Sequence, residues 1–229
     1  MAPPFKREDV TPAPEESTET VILRSPSGKE FVLHARPLAH HSRYFRTALN
    51  SKFQEATTRE FNLVEYCSDK VLRVFTRWIY LRSSGLAYQP VEVPFLYKLG
   101  QAVVVEAWLF GDYIQAPLFQ NEMMALMVAV SNKKFDTDRL PLLVKIAPQD
   151  SPLRKYLVDR FCSMMLQSCR ESIDGAMSVL PAHFTTDVCK KLFGLILDKE
   201  KWVGGKFYDW NKRTVEDYQV QVEGTIGPR

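Results

Sequence analysis

A chain of 229 residues has room for one domain with extensions or for two small domains, and a 45% hydrophobic content supplies a real core. Its 30 basic and 27 acidic residues leave a net charge of only +3, which argues against the concentrated basic face that nucleic-acid binding uses. No stretch approaches the roughly 20 apolar residues of a membrane helix.

Residues 1–19 hold Pro3, Pro4, Pro12 and Pro14 with acidic Glu15, Glu16 and Glu19, and lack the apolar run of a secretory leader. They read as a disordered N-terminal tail, with too little to bury to offset the entropy of ordering. Cys67, Cys162, Cys169 and Cys189 are widely scattered, and no two form a CxxC pair. That is the pattern of reduced thiols in an intracellular protein of the cytoplasm or nucleus, not a secreted one.

Order is expected from Thr20. Val21-Ile22-Leu23 and Phe31-Val32-Leu33 are β-prone runs separated by Pro26-Ser27-Gly28-Lys29, which reads as a β-hairpin. Leu38, Phe45, Ala48 and Leu49 then recur at helical spacing, with Ser42 placed to cap a second short helix. Glu60-Phe61-Asn62-Leu63 is a candidate third strand. Ser68 or Asp69 is expected to cap an amphipathic helix whose Val71, Leu72, Phe75, Trp78 and Ile79 share one stripe, ending near Ser83-Ser84-Gly85.

Past a loop with Pro90 and Pro94, Ala102 to Ile114 reads as a buried helix. Pro117 starts the next, where Phe119, Met123, Leu126 and Val130 share a face. Strands followed by paired helices, without a βαβ rhythm, give an α+β unit over 20–130. Beyond Ser131-Asn132-Lys133-Lys134 the pattern is all helical. Ser151-Pro152 forms an N-cap and first-turn pair ahead of Leu153, Leu157, Phe161 and Met164, and a last helix is expected from Thr185 to Asp198. This gives a helical extension over 131–200, and a C-terminal tail, 201–229, with Trp202, Tyr208 and Trp210 among glycines and charges.

Motifs for catalysis are missing. Neither Ser27 nor Ser84 sits in the glycine frame of a nucleophile elbow, and Gly204-Gly205-Lys206 lacks both the upstream glycine and the following Ser/Thr of a phosphate loop. Of His34, His40, His41 and His183, the adjacent pair His40-His41 would point about 100° apart on a helix, a poor start for a zinc site. Cys162 and Cys169, seven apart, have no histidine beside them and read as small apolar residues. Met123, Met124, Met127, Met164 and Met165 suit a groove or an ordinary core, and their helical spacing beside Leu and Val favours the core. The expectation is a non-enzymatic protein with no metal or cofactor.

The order of pieces resembles the BTB/POZ family. Phe31-Val32-Leu33-His34-Ala35-Arg36-Pro37-Leu38 followed by Ser42-Arg43-Tyr44-Phe45 is similar to that family's strand, histidine, basic residue and leucine, then Ser and Phe three apart. Phe53-Gln54-Glu55-Ala56 falls at the family's aromatic-x-Glu segment, and Phe75-Thr76-Arg77-Trp78-Ile79-Tyr80 resembles its helix ending in Tyr. Leu109-Phe110-Gly111-Asp112-Tyr113-Ile114 with Pro117-Leu118-Phe119-Gln120-Asn121 resembles its closing helical hairpin. Ser151-Pro152-Leu153-Arg154 and Leu180-Pro181-Ala182-His183-Phe184 resemble the extension of short stand-alone BTB proteins of the fungal type. Ala35 stands where a basic residue is expected, with Arg36 one place later.

The resemblance implies a BTB/POZ-like α+β fold: a small, mainly antiparallel sheet flanked by a cluster of helices, with an all-helical C-terminal extension. It implies protein–protein interaction, with a substrate adaptor for a cullin-based ubiquitin ligase as the leading form. A dimerising scaffold or transcription co-regulator without a ligase link is the alternative. The partners implied are proteins, a cullin scaffold among them, and a second copy of the chain; neither nucleic acid nor membrane is expected. The family's aromatic-x-Glu segment can contact the cullin, which makes Phe53 and Glu55 the candidate interaction residues. His34 is implied to be a partly buried structural residue. Asp112, inside an apolar helix, is expected to be buried and to need backbone donors or a basic partner.

Overall fold

The structure, a computed structural model, describes residues 19–63, 67–83, 100–131, 140–165, 175, 177–197 and 215–221. The readings made above for residues 1–18, for Pro90 and Pro94, for Cys169 and for 201–214 lie outside the described residues.

Alternation sets the first element. Strands β1 (Thr20–Arg24) and β2 (Glu30–His34) pair antiparallel, from Thr20 opposite His34 to Arg24 opposite Glu30. Val21, Leu23 and Leu33 point into the core, and Val32 points out. The turn closes through Ser25 N–H donated to Lys29 O at 2.9 Å, and Gly28 takes the φ of 77° that a side chain would resist.

Three short helices follow: α1 (Ala35–His41), α2 (Arg43–Leu49) and α3 (Gln54–Thr58). They carry the chain over to β3 (Glu60–Asn62), which joins the free side of β1 and runs parallel to it, giving the order β2-β1-β3. The sheet is therefore mixed, the expected antiparallel hairpin being extended by a parallel third strand. The physical reason is the crossover: residues 35–58 are long enough to return the chain to the end from which β1 starts, as parallel pairing requires.

Ser42 joins the sheet region to the later helices. Its Oγ accepts the Phe45 N–H at 3.2 Å, capping α2, and donates to Ile114 O at 2.5 Å. Helix α4 (Asp69–Ser83) buries all five residues of the expected stripe. Its cap departs from expectation. Ser68 Oγ makes no hydrogen bond, and Asp69 turns away to Lys29 Nζ at 2.8 Å and Ser27 Oγ at 2.7 Å. The Ser68 N–H goes instead to Glu106 Oε1 at 2.5 Å. An ammonium partner satisfies Asp69 better than an exposed amide would, and Glu106 takes over at the helix start.

Helices α5 (Gly100–Tyr113) and α6 (Pro117–Ser131) lie against each other. A Cβ on Gly111 would come within 2.8 Å of Gln120 Cγ and 3.1 Å of Phe119 Cδ1, so glycine sets how closely they approach. Aromatic rings fill the centre. Phe75 meets Phe110 at 5.3 Å, Phe119 at 5.2 Å and Trp78 at 6.0 Å between centroids.

The extension includes α7 (Leu140–Ile146), α8 (Pro152–Met165) and α9 (Ala182–Leu197). Ser151 caps α8 as expected, accepting the Arg154 N–H at 3.1 Å. Arg154 is 3% exposed and ties the three helices together. It donates to Asp187 on α9 at 3.0 and 3.1 Å and to Val144 O on α7 at 3.1 Å, and its guanidinium lies 4.8 Å from the Phe184 ring. A buried cation survives only when its donors are placed in this way. Buried apolar residues form one cluster from the sheet to Val188 and Tyr218, and Tyr156 Oη on α8 donates to Met127 O on α6 at 3.3 Å. Among the described residues, no helix is long and apolar enough to cross a membrane.

Candidate protein-interaction groove

Helix α2 ends where Asn50 Nδ2 folds back to Arg46 O at 2.9 Å and Ser51 N–H reaches Ala48 O at 3.2 Å. Ser51 Oγ then accepts the Phe53 N–H at 3.1 Å, holding Phe53 extended at the start of α3, with φ −71° and ψ 161°. In that conformation its ring has no core to enter. Phe53 is 66% exposed, the most exposed large hydrophobic side chain among the described residues. Helix α3 runs for one turn and ends at Arg59, whose left-handed φ of 57° turns the chain into β3. Arg59 is fixed by donating to Glu19 Oε2 at 3.2 Å.

Phe53 stands at the edge of a groove of ≈ 720 Å³ lined by Arg43, Tyr44, Thr47, Ala48, Glu55 and Gln115. Tyr44, Thr47 and Ala48 are one helical face of α2 at i, i+3 and i+4. Tyr44 is the rigid part of the floor, its ring 5.2 Å from that of Tyr113 and 6.2 Å from that of Phe61. Gln115 reaches the groove because it takes a left-handed φ of 51° in the α5–α6 turn, where its carbonyl accepts the Arg43 N–H at 3.2 Å. Glu55 is half-buried in the first turn of α3. An aromatic lip, a tyrosine–alanine floor, and one guanidinium and one carboxylate on the walls suit an apolar side chain flanked by polar groups.

The structure thus brings Phe53 and Glu55 into one groove, together with five residues that the sequence did not mark as site residues: Arg43, Tyr44, Thr47, Ala48 and Gln115. The i, i+3, i+4 spacing on α2 was a signal for three of them. Nothing in the sequence marked Gln115, whose place depends on a turn conformation.

Other residues sit differently from expectation. His34 is exposed, not partly buried, because it ends β2 on the outward side; its Nδ1 lies 3.0 Å from Tyr80 Oη. Asp112 is also exposed, on the outer face of α5, and accepts from Gln120 Nε2 at 3.2 Å. Met123, Met124 and Met127 are core, at 0 to 1% exposure, and line no groove. His40 and His41 stack edge to face at 4.7 Å, and His41 packs on Trp78. Among the described residues, no group of three His, Cys, Asp or Glu side chains can hold a metal. Burial pushes the Cys67 and Cys162 thiols up to about 12, far from a reactive thiolate. No family model matches the chain, and no curated protein matches it.

Proposed function

We propose that the chain is a BTB/POZ-like, non-enzymatic interaction module whose α2–α3 groove engages a cullin scaffold, so that it serves as a substrate adaptor of a cullin-based ubiquitin ligase. The observation that carries the proposal is Phe53, exposed at the lip of a groove that also holds Glu55. Leaving a phenyl ring in water costs about 2 kcal/mol relative to burying it, which favours a partner surface that covers it. Anchors of this kind are typically aromatic and sit beside polar groups that fix register. Helix α3 supports the assignment, since it holds the ring out by backbone conformation and does not depend on a bound partner to do so. The test is a pull-down of the purified cullin N-terminal region by the full chain. Retention by wild type and loss with Phe53→Ala supports the proposal, and no retention by wild type removes it.

A further inference from the structure

The segment Val215–Gln221 lies across the junction between α6 and α8. Of its seven residues only Tyr218 is buried, at 1% exposure, while Glu216, Gln219 and Gln221 face solvent. Tyr218 enters a slot floored by Tyr156, with ring centroids 5.3 Å apart at 90°, and donates its hydroxyl to Asp159 Oδ2 at 3.0 Å. The other carboxylate oxygen of Asp159, itself 1% exposed, is held by Lys191 Nζ at 2.7 Å. Two residues on, Asn121 of α6 reads the backbone of Val220 on both sides. Its Oδ1 accepts the Val220 N–H at 2.7 Å and its Nδ2 donates to Val220 O at 2.9 Å. Lys155 Nζ donates to Asp217 O at 2.9 Å and lies 5.5 Å from the Tyr218 ring.

Tyr218 joins the core cluster, but the residues around it are held as those of a bound peptide are. One aromatic anchor fills a pocket, one side-chain amide imitates a strand edge, and a lysine fixes the carbonyl before the anchor. Segments with so little buried surface open locally, at a fraction of the free energy of global unfolding. The slot itself is made by α6 and α8, whose contacts with each other, through Tyr156 and Met127, do not involve the segment.

We propose that the α6–α8 slot is a second, peptide-binding site, separate from the α2–α3 groove. It is selective for a partner segment that makes one 3-10 turn ending on a tyrosine, with an aliphatic residue two places later. The chain's own Glu216-Asp217-Tyr218-Gln219-Val220 occupies it in cis as a competitor. The seated segment defines the ligand chemistry. Tyr218 supplies the ring and hydroxyl that Tyr156 and Asp159 receive. Val220 supplies the backbone pair for Asn121.

The experiment uses full-length Tyr218→Ala protein, in which the competitor has lost its anchor, and a fluorescent peptide of sequence VEDYQVQ. Expected are saturable binding to Y218A, binding at least about tenfold weaker to wild type, and loss of binding when Asn121→Ala is added to Y218A. A peptide with alanine for tyrosine should not bind. Hydrogen exchange on wild type provides the control that needs no variant: the Val220 amide should exchange at least about tenfold faster than the slowest amides of α8. A folded Y218A that ignores the peptide overturns the proposal. So does a Val220 amide that exchanges only with global unfolding, which would make the segment core. Concentration-dependent wild-type dimers dispersed by the peptide would also overturn it, by assigning the slot to the tail of a second copy.

Discussion

Replacing Trp78 tests whether the α4 stripe holds the α+β unit together. The indole is 1% exposed, stacks on Phe75 with 16° between planes, and meets Phe119 at 5.0 Å. Its Nε1 donates to Glu122 Oε2 at 2.9 Å, and Arg82 pairs with the other oxygen of that carboxylate. Trp78→Ala removes packing worth about 3–5 kcal/mol. It also takes one donor from a buried carboxylate, a further cost of about 1 kcal/mol while Arg82 remains in place. The sum, roughly 4–6 kcal/mol, is a large share of the roughly 5–15 kcal/mol that holds a domain. At about 2–4 °C per kcal/mol for a chain of this size, the melting temperature should fall by about 10–20 °C. Trp78→Phe keeps most of the ring volume and loses the N–H, so it should cost about 2 kcal/mol. Urea titration followed by circular dichroism, with calorimetry on both variants, measures the difference. A W78A protein melting within about 2 °C of wild type would refute the packing argument.

Further predictions concern the joints around that core. Ser42→Ala loses the α2 cap and leaves Ile114 O without its donor, and should cost about 2–3 kcal/mol by urea titration. Burial pushes the Glu122 carboxyl above its usual range, with Arg82 and the Trp78 N–H offsetting part of the rise. The folded state therefore holds that proton more tightly than the unfolded chain does. This contribution is greatest below the ordinary carboxylate range and is lost as pH rises through the raised value. Glu122→Gln should flatten that part of the stability–pH profile relative to wild type, measured by melting across the acidic range.

Much of the helical fold could be read from side-chain spacing, because burial on one face leaves a period that survives in the sequence. Val71, Leu72, Phe75, Trp78 and Ile79 marked α4, and Ser151-Pro152 marked the start of α8. The direction of β3 could not be read this way, since a run of three residues carries strand propensity but not the sense of its partner. The exposures of His34 and Asp112 were misjudged for a related reason: local pattern gives the element, and its neighbours decide which side is wet. The last helix was expected from Thr185 and begins at Ala182, one residue after Pro181, whose carbonyl accepts the Thr185 N–H at 3.1 Å. Phe53 and Glu55 came from the resemblance of Phe53-Gln54-Glu55-Ala56 to an aromatic-x-Glu segment. The slot around Tyr218 was not legible, because Asn121, Asp159 and Val220 are far apart in the chain and share no periodicity.

Titration calorimetry of the full chain against the purified cullin N-terminal region tests the central claim most directly, with wild type, Phe53→Ala and Glu55→Ala compared and melting curves taken on each. An exposed phenyl contributes little to the fold, so F53A should melt with wild type, within about 0.5 kcal/mol. Its affinity should fall about thirtyfold, the equivalent of a 2 kcal/mol anchor, and that of Glu55→Ala by several-fold. Absence of wild-type binding at concentrations on the order of tens of micromolar, about 6–7 kcal/mol of affinity, would contradict the account. So would an F53A protein that binds as wild type does.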